Sequence, residues 1–193
     1  MESEENRNQT SKVLDYINQV LDRSRGVKVE KDEHPQRILG ALVRLLAIPE
    51  NLQNRNGSQP LRQQLSSALM SASRIVPPST VLYTCLQLLR CNDAALQIEL
   101  YTLLAARLGD VTQEARGKMS DDMVLMIKII KETLATASAS KSKVASLTAL
   151  RAIAKSARST ELSALTELVP VATSCIQDSI AAPFAVDALN DLW

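Results

Sequence analysis

Residues 88–108 read LLRCNDAALQIELYTLLAARL, two leucine-rich stretches that meet across a short polar notch, Cys91-Asn92-Asp93. Asp93 suits the first position of a helix, because its carboxylate can accept the free N–H groups of the opening turn. The notch therefore reads as the tight turn of a helical hairpin, with Thr80 to Leu89 before it and Ala94 to Leu108 after it. In the second arm Leu96, Leu100, Leu103, Leu104 and Leu108 share one face, and Ile98, Tyr101 and Ala105 form another beside it. A helix apolar on two sides is touched from two sides.

The same plan recurs downstream. Met123 to Leu134 carries Val124, Ile127, Ile130 and Leu134; ATASASKSK makes the turn, and Val144 to Ala157 follows. A third pair is expected from Leu162 to Ile176 and from Pro183 to the end. Upstream, His34-Pro35 opens a helix with Ile38, Leu39, Leu42, Val43, Leu45 and Leu46, which Pro49 stops. Pro60 starts another, with Leu61, Leu65, Ala68, Leu69, Ala72, Ile75 and Val76 on one stripe. Pro77-Pro78 is the clearest break in the chain. Residues 1–10 read as a disordered lead-in, and Ser11 onward as a helix with Val13, Leu14, Ile17, Val20 and Leu21, ended by Gly26.

Helix pairs repeating every 40 to 47 residues or so mark HEAT or armadillo arrays, in which each hairpin covers its neighbour's apolar surface. The expected fold is all-α: a HEAT/armadillo-like α-solenoid of stacked antiparallel helix pairs. It forms a single segment over 11–193, with pairs at about 35–76, 80–108, 122–157 and 161–193. A closed helical bundle is the alternative. The last helix, APFAVDALNDLW, is followed by no polar capping repeat, so a longer array or a partner at that end is expected.

Composition agrees. Of 193 residues 46% are apolar but only 3% aromatic, and Gly and Pro are few, which suits helices better than a β-sandwich. A net charge of +1 argues against a uniformly basic nucleic-acid binder. Three cysteines at irregular spacing form no disulfide framework and favour a reducing compartment. No run of 18 apolar residues exists, and MESEENRNQTSK is no signal peptide, so no membrane span or secretion is expected.

The residues offer little chemistry. The one histidine, His34, stands beside a proline at a helix start, where an exposed residue is a simpler reading than a base. Cys85 and Cys91 do not share a helix face, and nothing completes a zinc site; all three cysteines read as buried and structural. Asp121-Asp122 complement a helix dipole rather than a metal, and no glycine-rich phosphate loop is present. No enzyme, cofactor, metal or small-molecule substrate is expected.

Charge is segregated in blocks. Residues 37–90 hold six basic residues against one acidic, 93–122 three against six, 128–158 seven against one, and 161–193 five acids and no Lys or Arg. Arg151, Lys155 and Arg158 stand at i, i+4 and i+7, a spacing that puts all three on one helix face. Lys141 and Lys143 lead into that helix. The cluster suits RNA phosphates, an acidic protein surface, or plain solvation. Without aromatics nearby, RNA contact there would read backbone or shape rather than sequence.

Three stretches resemble a known family: LYTLLAARLGDVTQEARGKMSDDMVLMI (100–127), TALRAIAKSA (148–157) and ELSALTELVPVATSCIQDS (161–179). They are similar to fungal members of the very large HEAT-repeat subunit of the transcription-associated subcomplex of the small-subunit processome. The resemblance implies a nucleolar scaffold acting early in ribosome biogenesis. Its partners would be other subunits of that subcomplex and pre-ribosomal RNA, in assembly of the U-three snoRNP particle that matures 18S RNA. It carries over no catalytic residues. Gln97 stands where such repeats often have Arg or Lys. A HEAT-type adaptor in nuclear transport or cytoskeletal assembly is the competing function, although the turns lack the Trp that tubulin-binding arrays usually present. For single substitutions, Leu100→Asp is expected to destabilise severely and Arg151→Glu to leave folding nearly untouched.

Overall fold

The computed structural model describes residues 33–47, 59–90, 93–109 and 111–193, without the side chains of 33–35 and 59–62. The expected lead-in, the helix from Ser11, the Pro49 loop, Cys91-Asn92 and the His34 side chain lie outside the described residues. Within them there is no strand. The helices are α1 (Glu33–Ala47), α2 (Gln59–Ile75), α3 (Pro78–Leu89), α4 (Ala94–Leu108), α5 (Gln113–Gly117) and α6 (Ser120–Thr136). Then follow α7 (Ser140–Ala154), α8 (Leu162–Thr166), α9 (Val169–Ser174), a 3-10 turn (Cys175–Gln177) and α10 (Ala182–Leu192). An all-α chain is what the periodicity requires.

The chain divides into two compact units between Pro77 and Pro78, where the sequence reading treats 11–193 as one segment. A proline at 78 starts α3 at no cost, since the first turn of a helix has no use for its N–H. In the first unit α1 packs on α2. Leu39, Leu42, Val43 and Leu46 are buried on α1, and Leu65, Ala68, Leu69 and Ala72 on α2. Ile38 and Leu45, expected within a wide buried arc, are exposed, so α1 buries a narrower stripe than its composition allows.

In the second unit sequence neighbours pair: α3 with α4, α6 with α7, and α9 with α10. First arms also touch first arms, α3 on α6 and α6 on α8 and α9, and second arms touch second arms, α4 on α7 and α7 on α10. The expectation for α4 holds in detail. Asp93 Oδ1 accepts the Ala95 and Leu96 N–H groups at 2.9 and 3.2 Å, and Leu96, Leu100, Leu103, Leu104 and Leu108 are buried. Tyr101, on the flank of that stripe, is buried as well, with its hydroxyl 2.7 Å from Thr133 Oγ1 on α6.

Some boundaries depart from expectation. The expected helix from Leu162 to Ile176 is broken into α8, α9 and the 3-10 turn. Pro170 accounts for the break, because it lacks an N–H and its ring crowds the carbonyl one turn back. The helix expected over Val144–Ala157 is shifted to Ser140–Ala154, so Lys141 and Lys143 lie within its first turn rather than before it. At its end Arg116 donates from Nη2 to the Ile153 carbonyl and from Nε to that of Ser156, each at 3.4 Å. The Ile153 carbonyl also accepts the Ser156 N–H at 3.2 Å, so Arg116 is an additional donor at the end of the helix.

Candidate functional site

The five basic residues singled out by the sequence do not form one face. Arg158 lies past the end of α7, and its Nη1 donates to the Gln113 carbonyl at 3.1 Å, over Gly117. Arg151 is held by two aspartates of α10, with Nη1 2.6 Å from Asp187 and Nε 2.8 Å from Asp191. The hydrogen bond to Asp191 pushes its pKa further up. Lys155 caps α7, with Nζ 4.0 Å from Asp191. Lys143 Nζ and Ser140 Oγ both donate to Asp178 Oδ2, at 3.1 and 2.9 Å. Lys141 is exposed and makes no ion pair among the described residues.

These contacts explain the charge blocks. Four of the five acids of 161–193 are engaged by cations of the 128–158 block, Glu167 by Lys131, Asp178 by Lys143 and both Asp187 and Asp191 by Arg151, while Glu161 meets Arg116 of the block before. The hydrogen bond from Lys131, at 2.7 Å, holds Glu167 below the usual carboxylate range. Asp178 is lowered to about 2, first by Ser140 and then by Lys143. It also accepts the Ile180 and Ala181 N–H groups on Oδ1, which fixes the approach to α10.

The sequence reading did not find the Arg116–Glu161 pair. Its atoms are 2.8 Å apart, with side-chain exposures of 1% and 0%. Glu161 Oε2 also accepts the Arg158 N–H at 3.3 Å. One buried carboxylate thereby joins α5 to the turn after α7. Burial pushes the Arg116 pKa down, and Glu161 opposes that shift. The pairs between blocks did leave a signal in the sequence: opposite charges recur at separations of 35 to 45 residues.

Neither Cys85 nor Cys175 has the environment of an activated thiol. Burial drives the Cys85 thiol up to about 12 and raises that of Cys175 as well, so both stay protonated. Among the described residues no group of His, Cys, Asp or Glu is placed to hold a metal, and no helix is long and apolar enough to cross a membrane. A cleft of about 450 Å³ lies between α4 and α7, lined by Ala105, Leu108, Val111, Thr148, Arg151 and Lys155 among others. Its two cations are the ones that face Asp187 and Asp191, so it is not a strongly basic groove. Comparison with family models, curated proteins and solved structures finds no match.

Proposed function

We propose that the chain is a non-catalytic scaffold segment, an α-solenoid of HEAT/armadillo type that serves small-subunit processome assembly in the nucleolus. The observation that supports the solenoid is one of register. The side-chain hydrogen bonds that join separate hairpins of the second unit link residues 32 to 45 positions apart. A closed bundle has no reason to keep its long-range bonds within one band of offsets, whereas stacked repeats of about 40 residues do. The assignment to the processome is supported by the resemblance of residues 100–127, 148–157 and 161–179.

The intrachain use of Lys143, Arg151 and Arg158 moves the proposed contacts toward protein subunits. Pre-ribosomal RNA becomes a partner met mainly through Lys141 and Lys155. The test is to purify the tagged chain from cells and quantify the pre-18S leader and U-three RNA carried with it, against a tagged helical protein of similar size. Enrichment of both RNAs supports the reading; levels equal to the control sink it. A salt series on the purified chain and a leader RNA separates direct contact from carriage by protein, since phosphate contacts weaken steeply with salt.

A further inference from the structure

The turn after α7, Arg158-Ser159-Thr160-Glu161, is tied by three side-chain bonds to α5 and the start of α6. Arg158 Nη1 donates to the Gln113 carbonyl at 3.1 Å, Arg116 Nη2 donates to Glu161 at 2.8 Å, and the hydroxyls of Ser120 and Thr160 lie 2.6 Å apart. The first two bonds use charged groups; the third joins two neutral alcohols. Among the described residues, most hydroxyls that follow a Lys or Arg within three positions are covered. Thr133, Ser142 and Ser146 are buried, and Ser120 and Ser156 half-buried. Ser159 and Thr160, behind Lys155 and Arg158, are the two that are exposed, and Ala157-Arg158 before them belong to no helix. Of this pair, Thr160 is the one whose hydroxyl crosses to another hairpin.

We propose that Thr160 is a phosphorylation site, and that its phosphate loosens this turn from the start of α6. The acceptor is an exposed alcohol with Arg158 two residues before it and Lys155 five before, a cationic approach that suits a protein kinase reading basic residues. In the transfer, Oγ1 attacks the γ-phosphorus of a nucleoside triphosphate held by that kinase. The new O–P bond replaces the bond to the departing diphosphate, and the hydroxyl proton passes to the kinase's base. The product carries a charge of about −1.5 to −2 where a neutral hydroxyl stood. Residues 113–122 and 158–161 together hold Glu114, Asp121, Asp122 and Glu161 against Arg116, Lys118 and Arg158. Those cations already have acceptors, namely Glu161, Glu114 and the Gln113 carbonyl. Asp121 and Asp122 occupy the positive end of α6. A phosphate here therefore meets an excess of negative charge, and the close contact with Ser120 gives way. This regulation is independent of the processome reading.

The test treats the full chain with magnesium-ATP and a serine/threonine kinase selective for an arginine two residues before the acceptor, and maps phosphate by mass spectrometry. One phosphate, on Thr160, is expected. Thr160→Val should accept none, whereas Ser159→Ala should accept it as the parent does. Amide hydrogen exchange is then compared between the phosphorylated chain and Thr160→Val, which loses the hydroxyl without gaining charge. Amides of residues 113–120 and 158–165 should exchange several-fold faster in the phosphorylated chain, while those of α4 stay unchanged. The difference should shrink as salt is added, because repulsion is screened and a lost hydrogen bond is not. Phosphate on Ser159 instead, or on neither residue of this turn, overturns the assignment. So does a phosphorylated Thr160 whose surrounding amides exchange no faster than those of Thr160→Val.

Discussion

The two seams of the Pro78–Trp193 unit are built from different materials. On the side of α3 and α4 the buried residues are large: Leu96, Leu100, Leu103 and Leu104 on α4, with Met123, Met126, Ile127 and Ile130 on α6. On the side of α9 and α10 the buried residues of the two helices are alanines, Ala172, Ala185 and Ala188, with Ala181 buried just before α10, and ion pairs line the junction. A fully buried leucine contributes about 1.5–3 kcal/mol, an exposed ion pair a few tenths to about 1. The first seam is therefore the stronger. The second is weaker but directional, because its acids meet particular cations 35 to 45 residues away.

Leu100→Asp breaks the comparison at its strongest point. Leu100 is fully buried, and an unpaired carboxylate there has no cation to meet. A loss of at least about 4 kcal/mol is expected, seen as loss of the cooperative melt or as a collapse in Tm. Next comes Arg116→Met, which leaves Glu161 charged and buried alone and should cost about 3–5 kcal/mol. The double variant Arg116→Met/Glu161→Leu should recover much of that loss in chemical denaturation, because an apolar pair of similar volume needs no solvation. A double variant no better than the single would show that Arg116 matters mainly through the carbonyls of Ile153 and Ser156.

The two seams also differed in how far they could be read in advance. The leucine periodicity of α4 gave its buried face, and Asp93 gave its start, since local chemistry sets both. The α8–α9 region misled because Leu162, Leu165, Val169 and Ile176 keep helical spacing across Pro170, whose backbone effect overrides their pattern. The candidate site was legible as composition but not as pairing. Arg151, Lys155 and Arg158 sit at one-face spacing only if α7 continues to Arg158, and Arg116, remote in sequence, donates to the carbonyls at its end. Which cation meets which acid depends on how the hairpins stack, information that no single helix contains.

Arg151→Glu tests the ionic seam directly. Read from the sequence, the substitution is silent; with Asp187 and Asp191 at 2.6 and 2.8 Å it sets three carboxylates together. Partial exposure screens them, so the expected loss is about 1–2 kcal/mol, several-fold below Leu100→Asp, and it should shrink as salt is added. A melt unchanged at low salt would reduce these contacts to decoration.

The smallest effect is the most diagnostic of how the second seam works. Asp178 is lowered from 3.8 to about 2 by Ser140 and Lys143, and Glu167 is lowered by Lys131. A carboxylate whose pKa is lower in the folded than in the unfolded chain stabilises the fold wherever it is ionised. Its contribution is complete above about pH 5 and disappears as pH falls toward 2. Asp178→Asn removes that charge while keeping an oxygen able to accept the Ile180 and Ala181 N–H groups, so the turn into α10 should survive. The variant should melt slightly below the parent at pH 7, and the two curves should converge near pH 2. Since Leu100 contributes no titrating group, a Leu100→Ala variant should instead run parallel to the parent across the same range. Curves for Asp178→Asn that stayed parallel would mean that Lys143 and Ser140 do not hold this carboxylate in solution, and that the alanine packing alone seats the last hairpin.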